Sequence, residues 1–332
     1  MSVKTQARII GMGSYLPKRV LTNQDFEKMV DTTDEWIVTR TGIKERRIAA
    51  EDEFTSDMGT AAARKALDSC GVSPDEIDLI LVATLTPDYI SNATGALIQT
   101  ALGASKAAAV DIQAACSGFI YALSMAKAYI ESGMYKNILL VASERMSTYV
   151  NYKDRGTCIL FGDGAAAAVV STEGEGLAIK NVCLGADGKL AEIVYIPGGG
   201  SRHPPSERSI KEELHYFRME GKEVFKHAVR KMGAAAKECL DKAGLTTEQI
   251  NWFVPHQANL RIMDALAKNF QIPDEKMYKT VQKYGNTSAS SLAIALDELM
   301  QEHALNFGDN ILLVAFGAGL AWGASLLKKI GK

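Results

Sequence analysis

The hexapeptide NILLVA at 137–142 recurs letter for letter at 310–315, a shift of 173 residues (310 − 137). At that same shift AAARKALDSCGVSPDEID (61–78) lies over AAAKECLDKAGLTTEQIN (234–251), and Ala61, Ala62, Ala63, Leu67, Asp68, Gly71 and Ile77 meet identical residues. One offset that aligns two separated segments marks an internal duplication. A duplicated chain is expected to fold as two similar units, here 1–175 and 176–332, joined near residue 175.

Each unit alternates strand-like and helical runs. IDLILVAT is followed by the helical NATGALIQTAL, then AAAVDI, a long apolar helix after Cys116, and NILLVAS. This alternation argues for a mostly three-layered α/β core. Ligands in such folds gather at the carboxyl ends of strands. The shift lays Gln113 on Asn286 and Cys116 on Ala289, so QAACSG in one half matches NTSASS in the other. If the halves pack about a pseudo-twofold axis, these strand-to-helix corners face each other, and Cys116 meets Asn286.

Four places along the chain carry groups fit for chemistry. Cys116 opens a helix expected to run to about Ser132 and stop at Gly133. A helix N-terminus favours thiolate, the nucleophilic form, although many free cysteines are buried and inert. His256 ends the apolar run NWFVP just before an amphipathic helix from about Asn259. There it serves either as a proton or hydrogen-bond donor or as a structural loop histidine. Asn286 in GNTSASS is either a turn residue or an oxyanion donor, and its place opposite the cysteine corner favours the second use. Gly317, Ala318 and Gly319 interrupt a strand pair, as a tight turn or as a source of backbone N–H groups for an oxyanion.

Other features rank lower. Cys70 and Cys239 fall in the repeated helix, and Cys158 and Cys183 in strand-like runs. His203, His215, His227 and His303 have no matching corner. GMG at 11–13 lacks the third glycine of a dinucleotide fingerprint, and GGGS at 198–201 reads as a loop.

Composition closes off several function classes. With 37 Lys and Arg against 39 Asp and Glu, the chain does not suggest a nucleic-acid partner. No apolar run is long enough to cross a bilayer, and MSVKTQARIIGMG lacks the apolar core of a secretory signal. Five scattered cysteines with no paired spacing argue against disulfides or a structural metal site, and for a reducing, cytoplasmic setting.

AACSGF around Cys116, HQAN from His256 and GNTSASS around Asn286 resemble the Cys–His–Asn triad of the β-ketoacyl-acyl-carrier-protein synthase III family. DTTDEWIVTRTGIKERRIA (31–49) and RGTCILFGDGAAAAVV (155–170) are also similar to that family, so the likeness runs over essentially the whole chain. It implies a thiolase-like fold of two duplicated βαβαβαββ halves in five α-β-α-β-α layers, and a homodimer. The implied reaction condenses an acyl-CoA primer with malonyl-acyl-carrier protein, with loss of carbon dioxide. Coenzyme A enters as a thioester substrate, and no metal or other cofactor is implied.

Carried over by position, the resemblance assigns catalysis to Cys116, His256 and Asn286, and an oxyanion hole to the backbone of Cys116, Gly317 and Ala318. Trp36 would stack on the adenine with Thr32, Arg40 and Arg155 around it, while Gly221, Phe225 and Asn259 line the pantetheine tunnel. Ser91, Leu160, Phe161 and Phe316 are implied for the acyl pocket. Lys226, Gln257, Ala258, Asn259, Leu260, Arg261 and Lys268 are implied for carrier-protein docking. Ser91 stands where many members carry a pocket-closing phenylalanine, which leaves room for a longer or branched primer. The family's usual glycine run reads FGAG here, with Ala318 replacing a glycine. The competing functions are a related condensing enzyme with another acceptor, a non-catalytic subunit that shapes chain length, and a thiol hydrolase. The last lacks an acid near HQAN to orient His256.

Overall fold

Runs such as Leu79–Ala83 and Asn137–Glu144 are apolar at nearly every position, and a strand of that kind needs cover on both faces. The computed structural model, which describes residues 6–331, shows how both faces are covered. The first five residues of the amino-terminal segment read above lie outside the described residues.

Nine strands form one mixed sheet. Their order is Trp252–Pro255, Asn310–Gly317, Ala321–Ile330, Gly176–Ala186, Arg8–Tyr15, Gly164–Ser171, Asn137–Glu144, Leu79–Ala83 and Ala108–Ile112. Leu79–Ala83 runs parallel to both its neighbours, and Trp252–Pro255 runs parallel to Asn310–Gly317. The other pairings are antiparallel, including the short Arg8–Ala178 and Ile9–Leu177 contact that joins the two halves of the order at its middle.

The repeat reappears in register. Leu79 and Trp252 begin equivalent strands (252 − 79 = 173), as do Asn137 and Asn310. Helix Thr55–Cys70 stops at Gly71 with φ 68°, and helix Gly221–Ala243 stops at its equivalent Gly244 with φ 66°. The copies differ at the far edge. Where the shift would set a partner for Ala108–Ile112, the second half has the helical turn Val281–Tyr284 and only an isolated Phe253–Met277 bridge.

Side-chain alternation along the strands builds the layers. Leu79, Leu81, Ile138 and Leu140 point into one core together with Val254, Ile311, Leu313 and Ala315 from the second half. That core encloses helices Gly118–Glu131 and Ser290–Glu302. Ile80, Val82, Leu139 and Val141 point the other way, onto Thr55–Cys70. Leu312, Val314 and Phe316 face Gly221–Ala243 and Leu260–Phe270. The result is five layers of the thiolase-like type. The three-layer expectation from β/α alternation is corrected: two such units share their middle layer of helices.

Close packing also accounts for GMG at 11–13. A Cβ on Gly11 would lie 2.5 Å from the Ala66 carbonyl oxygen, and one on Gly13 would lie 2.5 Å from Lys65 Cβ. These glycines let helix Thr55–Cys70 sit directly on its strand. Cys158, read as strand-like, instead ends the helical turn Arg155–Cys158 that Asp154 caps.

Candidate active site

Cys116 sits in the 3-10 turn Ala115–Ser117, which leads into helix Gly118–Glu131. Ala115 before it has φ 45°, and its equivalent at the twin corner, Ser288, has φ 52° (288 − 115 = 173). Left-handed backbone is costly for a residue with a Cβ, and both copies retain it where the chain turns from strand to helix. Small neighbours make the turns possible. A Cβ on Gly118 would approach those of Ala83 and Ala289 at 3.1 and 3.3 Å.

Cys116, His256 and Asn286 line one cavity of about 290 Å³. The thiol donates to the Ser288 hydroxyl at 3.6 Å. The Asn286 side-chain oxygen accepts from the Ser288 N–H at 2.8 Å, which commits that end of the amide and leaves its NH2 for a ligand. His256 Nδ1 lies 2.5 Å from Ser291 Oγ, whose oxygen also accepts from the Gln257 N–H. With the hydroxyl proton assigned to Nδ1, Nε2 carries the ring hydrogen and is the donor for a ligand. Burial holds the imidazole far down, at about 3, so it is neutral at ordinary pH.

The thiol behaves differently from the sequence expectation. Burial pushes it up to about 12, the Ser288 hydrogen bond lowers it, and the nearby Glu144 charge raises it further. The helix-terminus argument for a resting thiolate is therefore corrected: desolvation outweighs it, and the thiol rests protonated.

Glu144 was not among the expected site residues. It is fully buried at the end of its strand, accepting hydrogen bonds from Thr84, Leu85, Thr86, Ser288 and Ala289. Burial raises its carboxyl to about 7. The repeat held the signal, because the 173-residue shift lays Glu144 on Gly317 (317 − 144). Each half's strand end packs on the other half's corner. A Cβ on Gly317 would lie 2.7 Å from the Cys116 nitrogen, and Glu144 bonds to Ser288.

The other expected residues fall in several places. Trp36, Arg40, Gly221, Phe225 and Asn259 line the cavity, as do Leu160, Phe161, Phe316, Gly317 and Ala318. The guanidinium groups of Arg40 and Arg155 each lie 4.9 Å from the Trp36 ring centre. Thr32 lies outside the lining, with its buried hydroxyl unpartnered among the described residues. Asn259 also caps helix Leu260–Phe270, and its amide donates to the Arg40 carbonyl. Ala318 is absent from the left-handed positions, so its Cβ brings no backbone strain to the FGAG turn. Ser91 is exposed, bonds to Asn92 and does not line its own chain's cavity.

Among the residues expected for docking, Ala258 and Arg261 line the cavity and Leu260 is half-buried beside Gly42. Lys226, Arg261 and Lys268 are exposed. Gln257 is corrected. It is 1% exposed, and its amide is spent on Pro255, Tyr278, Thr280 and Val281, which makes it a loop fastener rather than a docking residue. Asp163 of FGDG is likewise structural, bonding to Ala49 and Ser147. Leu85, Met146, Val194, Phe217 and Met232 add to the apolar lining. They come from separate elements, and no local motif marks them.

The family model for 3-oxoacyl-[acyl-carrier-protein] synthase III matches residues 110–188, and the model for that family's C-terminal part matches 240–329. A beta-ketoacyl-[acyl-carrier-protein] synthase III from Chlamydia caviae is 55% identical, covering 98% of this chain and 97% of that protein. The crystal structure of 3-oxoacyl-[acyl-carrier-protein] synthase III from Aquifex aeolicus superposes with a TM-score of 0.90 at 48% identity, covering 97% of this chain and 99% of that one. The corresponding Thermus thermophilus enzyme gives 0.90 at 45% identity, over 98% and 100%.

Proposed function

The chain belongs to the 3-oxoacyl-[acyl-carrier-protein] synthase III family, and on that premise we propose that Cys116, His256 and Asn286 carry its chemistry. The protein is a condensing acyltransferase that performs the initiating step of fatty-acid synthesis, with acyl-CoA and the acyl-carrier protein as substrates. The alternatives of a different acceptor or a non-catalytic partner subunit are not favoured.

In the first half-reaction the Cys116 sulfur attacks the acyl-CoA thioester, giving an acyl-cysteine and coenzyme A. Malonyl-carrier protein then enters. His256 Nε2–H and the Asn286 NH2 donate to its thioester carbonyl as carbon dioxide leaves, so the enolate forms against two fixed donors. Its carbon attacks the acyl-cysteine, and the N–H groups of Cys116 and Ala318 hold the oxyanion until the thiolate departs. One observation carries this reading. Ser291 occupies His256 Nδ1 and the Ser288 N–H occupies the Asn286 oxygen, so both residues turn donors, not acceptors, toward the cavity that holds the thiol.

The outer parts of the site follow the same logic. Trp36 and Arg155 offer an aromatic face and a guanidinium plane suited to a purine, with Thr32 and Arg40 beside them. Gly221, Phe225 and Asn259 line the way inward, and Leu160, Phe161 and Phe316 receive the acyl chain. Exposed Lys226, Arg261 and Lys268 form a basic rim for the acidic carrier protein, joined by Ala258, Asn259 and Leu260. A homodimer is supported by the open edge strand Ala108–Ile112, with Val110 43% exposed, and by the 87% exposure of Ile90. Across that edge Ser91 would reach the partner's acyl pocket. Among the described residues no helix is long and apolar enough to cross a membrane. As the family resemblance implies, we place the enzyme in the cytoplasm and assign it no cofactor. The halves 1–175 and 176–332 then act as a thiol half and a His–Asn half.

The test is Cys116→Ala. It abolishes acyl transfer from acetyl-CoA while malonyl-carrier protein is still decarboxylated, because decarboxylation needs only His256 and Asn286. Undiminished condensation by the variant removes Cys116 as the nucleophile.

A further inference from the structure

A protonated thiol has to lose its proton before sulfur can bond to carbon, and with Ser291 donating to its Nδ1, His256 has no free acceptor nitrogen. The path that does leave the thiol is short. Cys116 Sγ donates to Ser288 Oγ at 3.6 Å, and Ser288 Oγ donates to Glu144 Oε1 at 3.0 Å. Both hydrogen bonds already point from thiol to carboxylate. Ser288 and Glu144 are each 0% exposed, so beyond the thiol the path is closed to bulk water.

We infer that Glu144, acting through Ser288, is the proton store of the catalytic cycle: it takes the Cys116 proton during acylation and returns it after condensation. The inference rests on the condensing function proposed above. In the first half-reaction the sulfur–carbon bond forms and the bond from carbon to the coenzyme A sulfur breaks. The thiol proton moves to Ser288 Oγ as the serine proton moves to Glu144, and the departing coenzyme A thiolate takes a proton from solvent. In the second, the malonyl carboxylate leaves as carbon dioxide and its electron pair forms the new carbon–carbon bond. The Cys116 thiolate is expelled and regains its proton from Glu144 by the reverse path. Over the cycle one solvent proton is consumed, and the enzyme ends as it began.

The surroundings of Glu144 suit a group that holds a proton for part of the cycle. Its partners on the Thr84–Thr86 loop and at the Ser288–Ala289 corner are neutral hydroxyl and amide donors. The titratable groups that sense its charge are Cys116 and the Tyr149 phenol. Its chain neighbour Arg145 turns its guanidinium away, to the carbonyls of Ala50 and Glu51. Burial without a cationic partner sets the carboxyl at about 7, where it can hold or release a proton. Glu144 touches no substrate, so it is a positioning and proton-holding residue rather than a catalytic one.

Glu144→Gln and Ser288→Ala test this in the full-length enzyme. The second keeps the carboxylate charge and removes only the link. Three rates are followed against pH: coenzyme A release from acetyl-CoA in a single turnover, Cys116 alkylation by iodoacetamide, and malonyl-carrier-protein decarboxylation in the Cys116→Ala background. Wild-type acylation and alkylation should level off above about pH 7, and both variants should lose that inflection and keep rising with pH. At neutral pH acylation should fall on the order of 10²-fold, while decarboxylation stays within about threefold. Retention of the wild-type inflection in both variants overturns the proposal. So does a fall in decarboxylation that matches acylation, because the carboxylate would then only hold the corner together. Alkylation needs no acyl-CoA: an intact alkylation profile with no acylation of the wild type sinks the condensing function and leaves the proton path standing.

Discussion

The α-carbon of Gly317 rests against the backbone of Cys116, so closely that a Cβ there would lie 2.7 Å from the Cys116 nitrogen and 3.0 Å from its Cβ. A strand end of one half thereby fixes the nucleophile of the other. Gly317→Ala should cost roughly 1–3 kcal/mol through overpacking, read as a lowered Tm. Acylation of Cys116 should suffer beyond that, because the thiol turn must shift. A variant that acylates at the wild-type rate shows that the contact does not position the thiol.

Ser291 selects the imidazole tautomer, since its hydroxyl is the partner of His256 Nδ1. Ser291→Ala should lower decarboxylation on the order of tenfold, leaving the acylation burst close to wild type. Equal loss in both half-reactions would mean that the serine merely packs.

Because burial keeps His256 neutral, its charge does not change in the working range. Its pKa is depressed from 6.5 to about 3, so the neutral ring predominates at every pH above that value. Decarboxylation by Cys116→Ala should be flat between about pH 5 and about pH 8. A transition in carbon dioxide release near 6.5 would show that the ring is titrating as an exposed histidine does.

The Trp36 ring lies 4.9 Å from the guanidinium carbons of both Arg40 and Arg155, at the end of the cavity away from the chemistry. Trp36→Ala should raise KM for acetyl-CoA roughly tenfold with kcat little changed, as expected for a remote stacking contact of about 1–2 kcal/mol. If kcat falls instead, the indole is supporting the catalytic corner.

Much of this site was legible in the sequence because the chain carries its own template. The 173-residue shift pairs the two corners, and Cys116 and Asn286 do line one cavity, bridged by Ser288. The same shift applied to the end of NILLVASE would have reached Glu144. A single acid after an apolar run looks like an ordinary strand terminus, so nothing local marks it. The protonation state of Cys116 is hidden from the sequence for a different reason. Local sequence reveals a helix terminus but not the depth of burial, and burial is the larger effect here. Gln257 shows the same limit: its neighbours in HQAN reach the cavity or the surface, while its own amide turns inward to tie down a loop.

The missing edge strand of the second half has a consequence of its own. Had the duplication been complete, the sheet would present two matching open edges, and copies of the chain could add end to end without limit. Instead one end carries the open strand Ala108–Ile112, while at the other the outer edge of Trp252–Pro255 is met by the Phe253–Met277 bridge. Two copies that met through Ala108–Ile112 on each would close at two and leave no such edge to extend into a filament.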